Sequence, residues 1–103
     1  MVIVREIMFC KPGKVRPLVE KFLAMKALMA RNGMPAMRVM TDVSTDRYWT
    51  LVAEMEVASL AEFEKSMQPT SMNEADTREF EKIMQGYHDL VESGRREIYK
   101  LEG

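Results

Sequence analysis

The chain has 103 residues, 47% of them hydrophobic and 30% charged, which is the composition of one ordinary globular domain. A domain of this size buries a real core but not a deep one. Its 15 basic and 16 acidic residues leave a net charge of -1, and phosphate binding needs a basic surplus on one face, so nucleic acid is not expected as a partner.

No apolar run is long enough to span a membrane, and Arg5, Glu6 and Lys11 interrupt the start where a signal peptide would need an unbroken apolar segment. No membrane association is expected. The single cysteine, Cys10, cannot form an internal disulfide, so a cytoplasmic location is the expectation. Eleven methionines are unusual. They suit a plastic core, or a cavity or subunit interface walled by flexible side chains.

Residues 2–10, VIVREIMFC, are short and rich in β-branched side chains, and they read as a strand. Lys11-Pro12-Gly13 is breaker chemistry. From Lys14 the period changes. Val15, Leu18, Val19, Phe22, Met25 and Met29 recur at helical spacing, until Asn32-Gly33 and Pro35 stop the helix.

Residues 36–43, AMRVMTDV, predict a second strand, and Ser44-Thr45-Asp46 a turn. Residues 47–57, RYWTLVAEMEV, predict a third strand by alternation, and the short connection makes the two a hairpin. Ser59-Leu60-Ala61-Glu62 is a capping box that opens a helix. Gln68-Pro69-Thr70 interrupts it, and Ser71-Met72-Asn73-Glu74 starts it again. Phe80, Ile83, Met84, Tyr87 and Val91 then mark an amphipathic helix that Ser93-Gly94 ends. Residues 95–101, RREIYKL, predict the last strand.

The order β-α-β-β-α-β predicts an α+β ferredoxin-like sandwich over the whole chain, an antiparallel sheet with helices on one face. Alternation in the third strand points Trp49, Leu51, Ala53, Met55 and Val57 toward the helices. Tyr48, Thr50, Val52 and Glu54 then face away, and the same parity adds Val4, Glu6, Met8, Arg38, Met40, Asp42, Glu97 and Tyr99 to that open face. Arg5 falls on the helix side in this assignment. A mixed face of this kind suits a second subunit packed against it.

With these elements in place the chain resembles the dimeric α/β-barrel superfamily, and within it the NIPSNAP-like proteins. The residues that carry the likeness are the strand ending in CKPGKV, Phe22 in the helix after it, GMPAMRVMTDV, the aromatic strand RYWTLVAEMEV, and SLAEFE. Where that family tends to carry an acidic, a basic and a tyrosine residue on its first strand, this chain holds Val4, Glu6 and Met8. The resemblance implies a homodimer formed through the open sheet face and a cavity between sheet and helices. Relatives include cofactor-free monooxygenases of aromatic or quinone-like compounds and haem-degrading enzymes. The haem-degrading relatives use a helix histidine, a tryptophan on the third strand and an asparagine on the first strand, the last of which this chain lacks; no cofactor is expected, with haem at His88 the lesser alternative.

Lys11-Pro12-Gly13-Lys14 is no phosphate loop, because Val15 follows where a Ser or Thr is needed and Pro12 has no N–H. Cys10 has no histidine near it in sequence, and a buried structural thiol is expected. His88, the only histidine, cannot build a multi-histidine metal site, and no metal is expected. It remains a candidate acid or base, or an ordinary surface side chain. Glu6, Arg38, Glu54, Tyr48 and Tyr99 predict a polar constellation in the barrel, either orienting a ligand or pairing across a dimer interface. Trp49, Phe22, Phe63, Phe80 and Tyr87 either border a pocket or fill the core.

Two readings follow. In the first, the protein binds or oxidises a small apolar or aromatic compound without a cofactor. His88, Tyr48 and Arg38 would then carry the chemistry, with Glu6, Trp49, Glu54 and Tyr99 binding the ligand. In the second, it is a non-catalytic homodimeric ligand-binding or structural module.

Overall fold

A computed structural model describes residues 1–68 and 71–103. β1 spans Val2–Cys10, α1 Val15–Arg31, β2 Met37–Thr41, β3 Thr50–Val57, α2 Leu60–Ser66, α3 Glu74–Met84 and β4 Val91–Lys100. A 3-10 turn, Tyr87–Asp89, precedes β4. The strands form one antiparallel sheet in the order β2-β3-β1-β4, and the fold is ferredoxin-like.

The turn chemistry acts where the sequence places it. Gly13 takes φ 77°, a left-handed conformation that glycine adopts without steric cost, and turns β1 into α1. Ser59 accepts a hydrogen bond from the Glu62 amide at 3.2 Å and starts α2. Asn73 does the same for α3, accepting from the Asp76 amide at 2.8 Å. The predicted interruption at Gln68-Pro69-Thr70 falls partly outside the described residues, since Pro69 and Thr70 are not among them.

The core lies between the sheet and α1. Leu18, Val19, Phe22, Met25, Leu28 and Met29 form the buried stripe of α1. All of these except Leu28 pack in one cluster with Val4, Met37, Leu51, Ala53, Met55 and Val57 of the sheet. α2 buries one residue, Phe63, a contribution of roughly 1.5–3 kcal/mol. α3 buries none completely. Phe80 and Met84 pack partly buried against the core, and polar contacts tie the helix to α1. Lys21 donates to the carbonyls of Ile83 at 2.9 Å and Gln85 at 2.7 Å, and Arg31 pairs with Asp76 at 2.7 Å and Glu79 at 2.6 Å.

Three expectations are corrected. The parity of β1 is reversed. Val4 stands opposite Met55, Glu6 opposite Ala53 and Met8 opposite Leu51, so Val4, Glu6 and Met8 face the helices. Ile3, Arg5, Ile7 and Phe9 take the open face. The reason is that β1 is a central strand with apolar residues on both sides, so alternation alone does not say which side is inner.

β3 begins at Thr50, not at Arg47. Trp49 adopts φ 61°, which no strand tolerates, and Tyr48 and Trp49 sit in the connection from β2, 84% and 43% exposed. The Trp49 carbonyl accepts the Cys10 amide at 2.8 Å, and the Asp42 side chain accepts the Thr50 amide at 2.9 Å, so the connection is tied to both neighbouring strands.

The last helix stops at Met84, and Ser93-Gly94 lies inside β4 instead of ending the helix. Gly86, at φ 82°, supplies the left-handed turn. Gly94 is needed for a different reason. A Cβ there would lie 3.0 Å from the Ile7 carbonyl oxygen and 3.1 Å from Met8 Sδ, so the glycine lets β4 close on β1.

Candidate functional site

A cavity of about 530 Å³ opens between the sheet and the helices. Ala53, in the middle of β3, is the smallest side chain on that strand's inner face and lies in the cavity floor between Leu51 and Met55. Phe22, Met25 and Met29 of α1 form one wall at helical spacing. Phe80 and Met84 of α3, both partly buried, form another. Of the eleven methionines, all except Met1 and Met40 line this space. The methionines therefore serve both expected roles, since Met25, Met29, Met37 and Met55 belong to the buried core and also border the cavity. Phe22, Phe63, Phe80 and Tyr87 border the cavity as the aromatic reading allowed, while Trp49 does not.

The charged residues of the lining are Glu6, Arg96 and the exposed Glu81. Glu6 of β1 and Arg96 of β4 stand opposite each other in register, and Arg96 Nε donates to Glu6 Oε1. The Arg96 guanidinium carbon lies 5.0 Å from the centre of the Phe63 ring, a cation–π contact. A shallower groove of about 410 Å³ runs along β4 and shares Glu6, Met8, Tyr87 and Arg96 with the cavity. His88 lines this groove, exposed, with its ring 4.1 Å from that of Tyr87.

The open face carries a separate network. Glu54, 4% exposed, accepts from Arg5 Nε at 2.7 Å and from Arg38, its neighbours on either side in the sheet. The hydrogen bond from Arg5 is the main cause that holds the Glu54 carboxyl below its ordinary range, and Arg38 adds to it against the opposing effect of burial. The Tyr99 hydroxyl donates to Glu97 at 2.7 Å and Arg95 donates to the same carboxylate at 2.8 Å. These bonds, the tyrosine's first, lower the Glu97 carboxyl. The Arg5 guanidinium lies 5.3 Å from the Tyr99 ring centre and joins the two groups.

The predicted constellation is thus divided between two faces. Arg38, Glu54 and Tyr99 share the open face. Glu6 is on the other side of the sheet, in the cavity wall, Tyr48 is solvated in the β2–β3 connection, and His88 stands on the groove outside the cavity. Arg5 and Arg96 complete the two groups and were missed. Both carried a signal in their strands, Arg5 as the residue out of parity in the predicted β1 and Arg96 as a charge on the inner face of β4. Cys10 is buried, and burial pushes its thiol up, with Asp42 adding to the shift. Among the described residues no group of three His, Cys, Asp or Glu converges as a metal site requires, and no helix is long and apolar enough to cross a membrane.

No protein-family model matches the chain, and no curated protein matches it in sequence. Solved structures do match in shape. A NIPSNAP domain protein from Burkholderia xenovorans superposes with a TM-score of 0.79 at 9% identity, over 99% of this chain and 95% of its own. A NIPSNAP family protein from Agrobacterium tumefaciens gives 0.75 at 13% identity, over 98% and 92%. The fold is theirs. An antibiotic biosynthesis monooxygenase shares it as well, with a TM-score of 0.70 at 11% identity over 100% of both chains. The ferredoxin-like subunit fold that the resemblance implied is therefore the fold observed.

Proposed function

We propose that this protein is a cytoplasmic homodimer that binds a small apolar compound in the cavity between its sheet and its helices. One observation carries the reading: a cavity of about 530 Å³ walled by methionines and aromatic rings, within the ~300–1,000 Å³ range of small-molecule sites. Methionine is polarisable and unbranched, so such a wall adapts to a flat or irregular guest. The dimer reading draws support from the open face, where Ile3, Ile7, Phe9 and Val52 alternate with the Arg–Glu network. An apolar patch with its charges already paired suits a partner copy better than water.

Monooxygenase-like chemistry on the bound compound is the second reading, favoured by the shared fold. In that case Glu6, the half-buried carboxylate of the wall, is the base within reach of a guest. His88, Tyr48 and Arg38 all stand outside the cavity. The structural-module reading has less to recommend it, because an open cavity contributes nothing to a purely structural role.

Calorimetry with naphthalene-type compounds tests the cavity. Wild-type protein is expected to bind them, and Ala53→Leu, which fills the cavity floor at β3, to lose binding while staying folded. Absence of binding by wild type would sink the reading. Light scattering at micromolar concentration tests the dimer, which a monomeric mass would exclude.

A further inference from the structure

Arg96 sits where the apolar cavity meets the polar groove along β4, since both are lined by Arg96, Glu6, Met8 and Tyr87. Its guanidinium is fixed in two ways, by the bond from Nε to Glu6 and by the Phe63 ring beneath it. Among the described residues its two terminal nitrogens donate to nothing. Of the other arginines near the groove, Arg47 pairs with Glu92 through a terminal nitrogen, and Arg95, bonded through Nε to Glu97, lines the groove but not the cavity. The Arg96 side chain is 44% exposed, so those nitrogens can be reached.

From this geometry we infer that the ligand is an apolar acid, an aromatic or medium-chain carboxylate whose body fills the methionine cavity and whose head docks on the terminal nitrogens of Arg96. The inference rests on the cavity reading above and adds the chemistry of the head group. An arginine fork holds its charge at any working pH and matches the two oxygens of a carboxylate. A cationic head would have to compete with Arg96 for Glu6 and would then lie beside a displaced guanidinium. A neutral head gains only ordinary hydrogen bonds. A carboxylate finds donors that are already positioned and otherwise without protein partners.

Calorimetry near neutral pH with a matched pair of probes, naphthoate and naphthalenemethanol, separates the two claims. Wild type is expected to bind the acid about tenfold more tightly than the alcohol, the scale of a charge-assisted hydrogen bond. Arg96→Met keeps an apolar stem against Phe63 and is expected to abolish the preference, weakening the acid far more than the alcohol. Glu6→Gln keeps the acceptor for Nε but removes the competing negative charge. It is expected to tighten acid binding about threefold relative to the alcohol. Equal affinities in wild type, or a preference that survives Arg96→Met, overturn the carboxylate assignment and leave the cavity reading intact. If Arg96→Met does not fold, an acid affinity in Glu6→Gln that is unchanged or weaker relative to the alcohol overturns it. If wild type binds neither probe, the cavity reading fails, and this inference with it.

Discussion

Arg5 on β1 and Glu54 on β3 stand directly opposite each other on the sheet face away from the helices, joined by a 2.7 Å bond from Nε to Oε1. Arg38 flanks the same carboxylate from β2. One buried acid thus ties three adjacent strands. Glu54→Ala is expected to destabilise the fold by about 1.5–3 kcal/mol, the range for hydrogen bonds to charged groups. Glu54→Gln should cost nearly as much, because an amide cannot accept from both arginines equally well. Urea unfolding of the two variants measures the loss.

The same carboxyl makes stability depend on pH. Its value in the folded protein lies below its ordinary one, chiefly because Arg5 donates to the ionised form. Its contribution is therefore complete above the unfolded carboxylate range, near ~4.3, and is lost as pH falls through the lowered folded-state value. Thermal midpoints are expected to be flat from neutral pH to about 5 and to fall below it. The fall should be shallower in Glu54→Gln, and an equal slope in both proteins would remove Glu54 as the cause.

Lys21 caps a helix that is not its own. Its ammonium donates to the carbonyls of Ile83 and Gln85 at the end of α3, where unsatisfied oxygens and the helix dipole favour a cation. Lys21→Met is expected to cost about 1 kcal/mol and to loosen the last turn of α3. Amide hydrogen exchange in α3 should quicken more than in α1.

Gly94→Ala tests the close approach of β4 to β1. The new methyl would meet the backbone oxygen of Ile7, which cannot move aside as a side-chain tip can. A loss of about 1–3 kcal/mol is expected, as for other overpacked sites. Denaturant midpoints check it.

The Cys10 thiol is expected to react slowly with iodoacetamide even at mildly alkaline pH, since burial both shields it and disfavours the thiolate. The rate should rise with denaturant in step with unfolding. Fast labelling of the native protein would contradict the buried placement.

The fold was legible because its local signals agree. Period changes at Pro12-Gly13 and Asn32-Gly33, together with the caps Ser59 and Asn73, mark out the β-α-β-β-α-β order. The candidate site was legible in composition but not in position. Methionine suits a packed core and a cavity wall equally, so eleven of them announce plasticity without saying where. Glu6 was placed on the wrong face because Ile3, Val4, Ile7 and Met8 make both sides of β1 apolar. Arg5, opposite Glu54, held the correct parity. Trp49 was read into a strand because its positive φ has no mark in residue type, and the end of the last helix was misplaced because the signal was Gly86, not Gly94.

The methionine wall also bears on what the protein is able to endure. A thioether takes up oxygen readily, and the sulfoxide is polar and chiral where the parent was apolar and supple. Reactive oxygen escaping from a guest in this cavity would meet sulfur on nearly every side, and each such event would make the lining less hospitable to the next apolar molecule. A site so built keeps its character only while oxidants stay away from it or are spent on the guest without escape. The state of those sulfurs in protein taken from cells would be a record of the chemistry the cavity has seen.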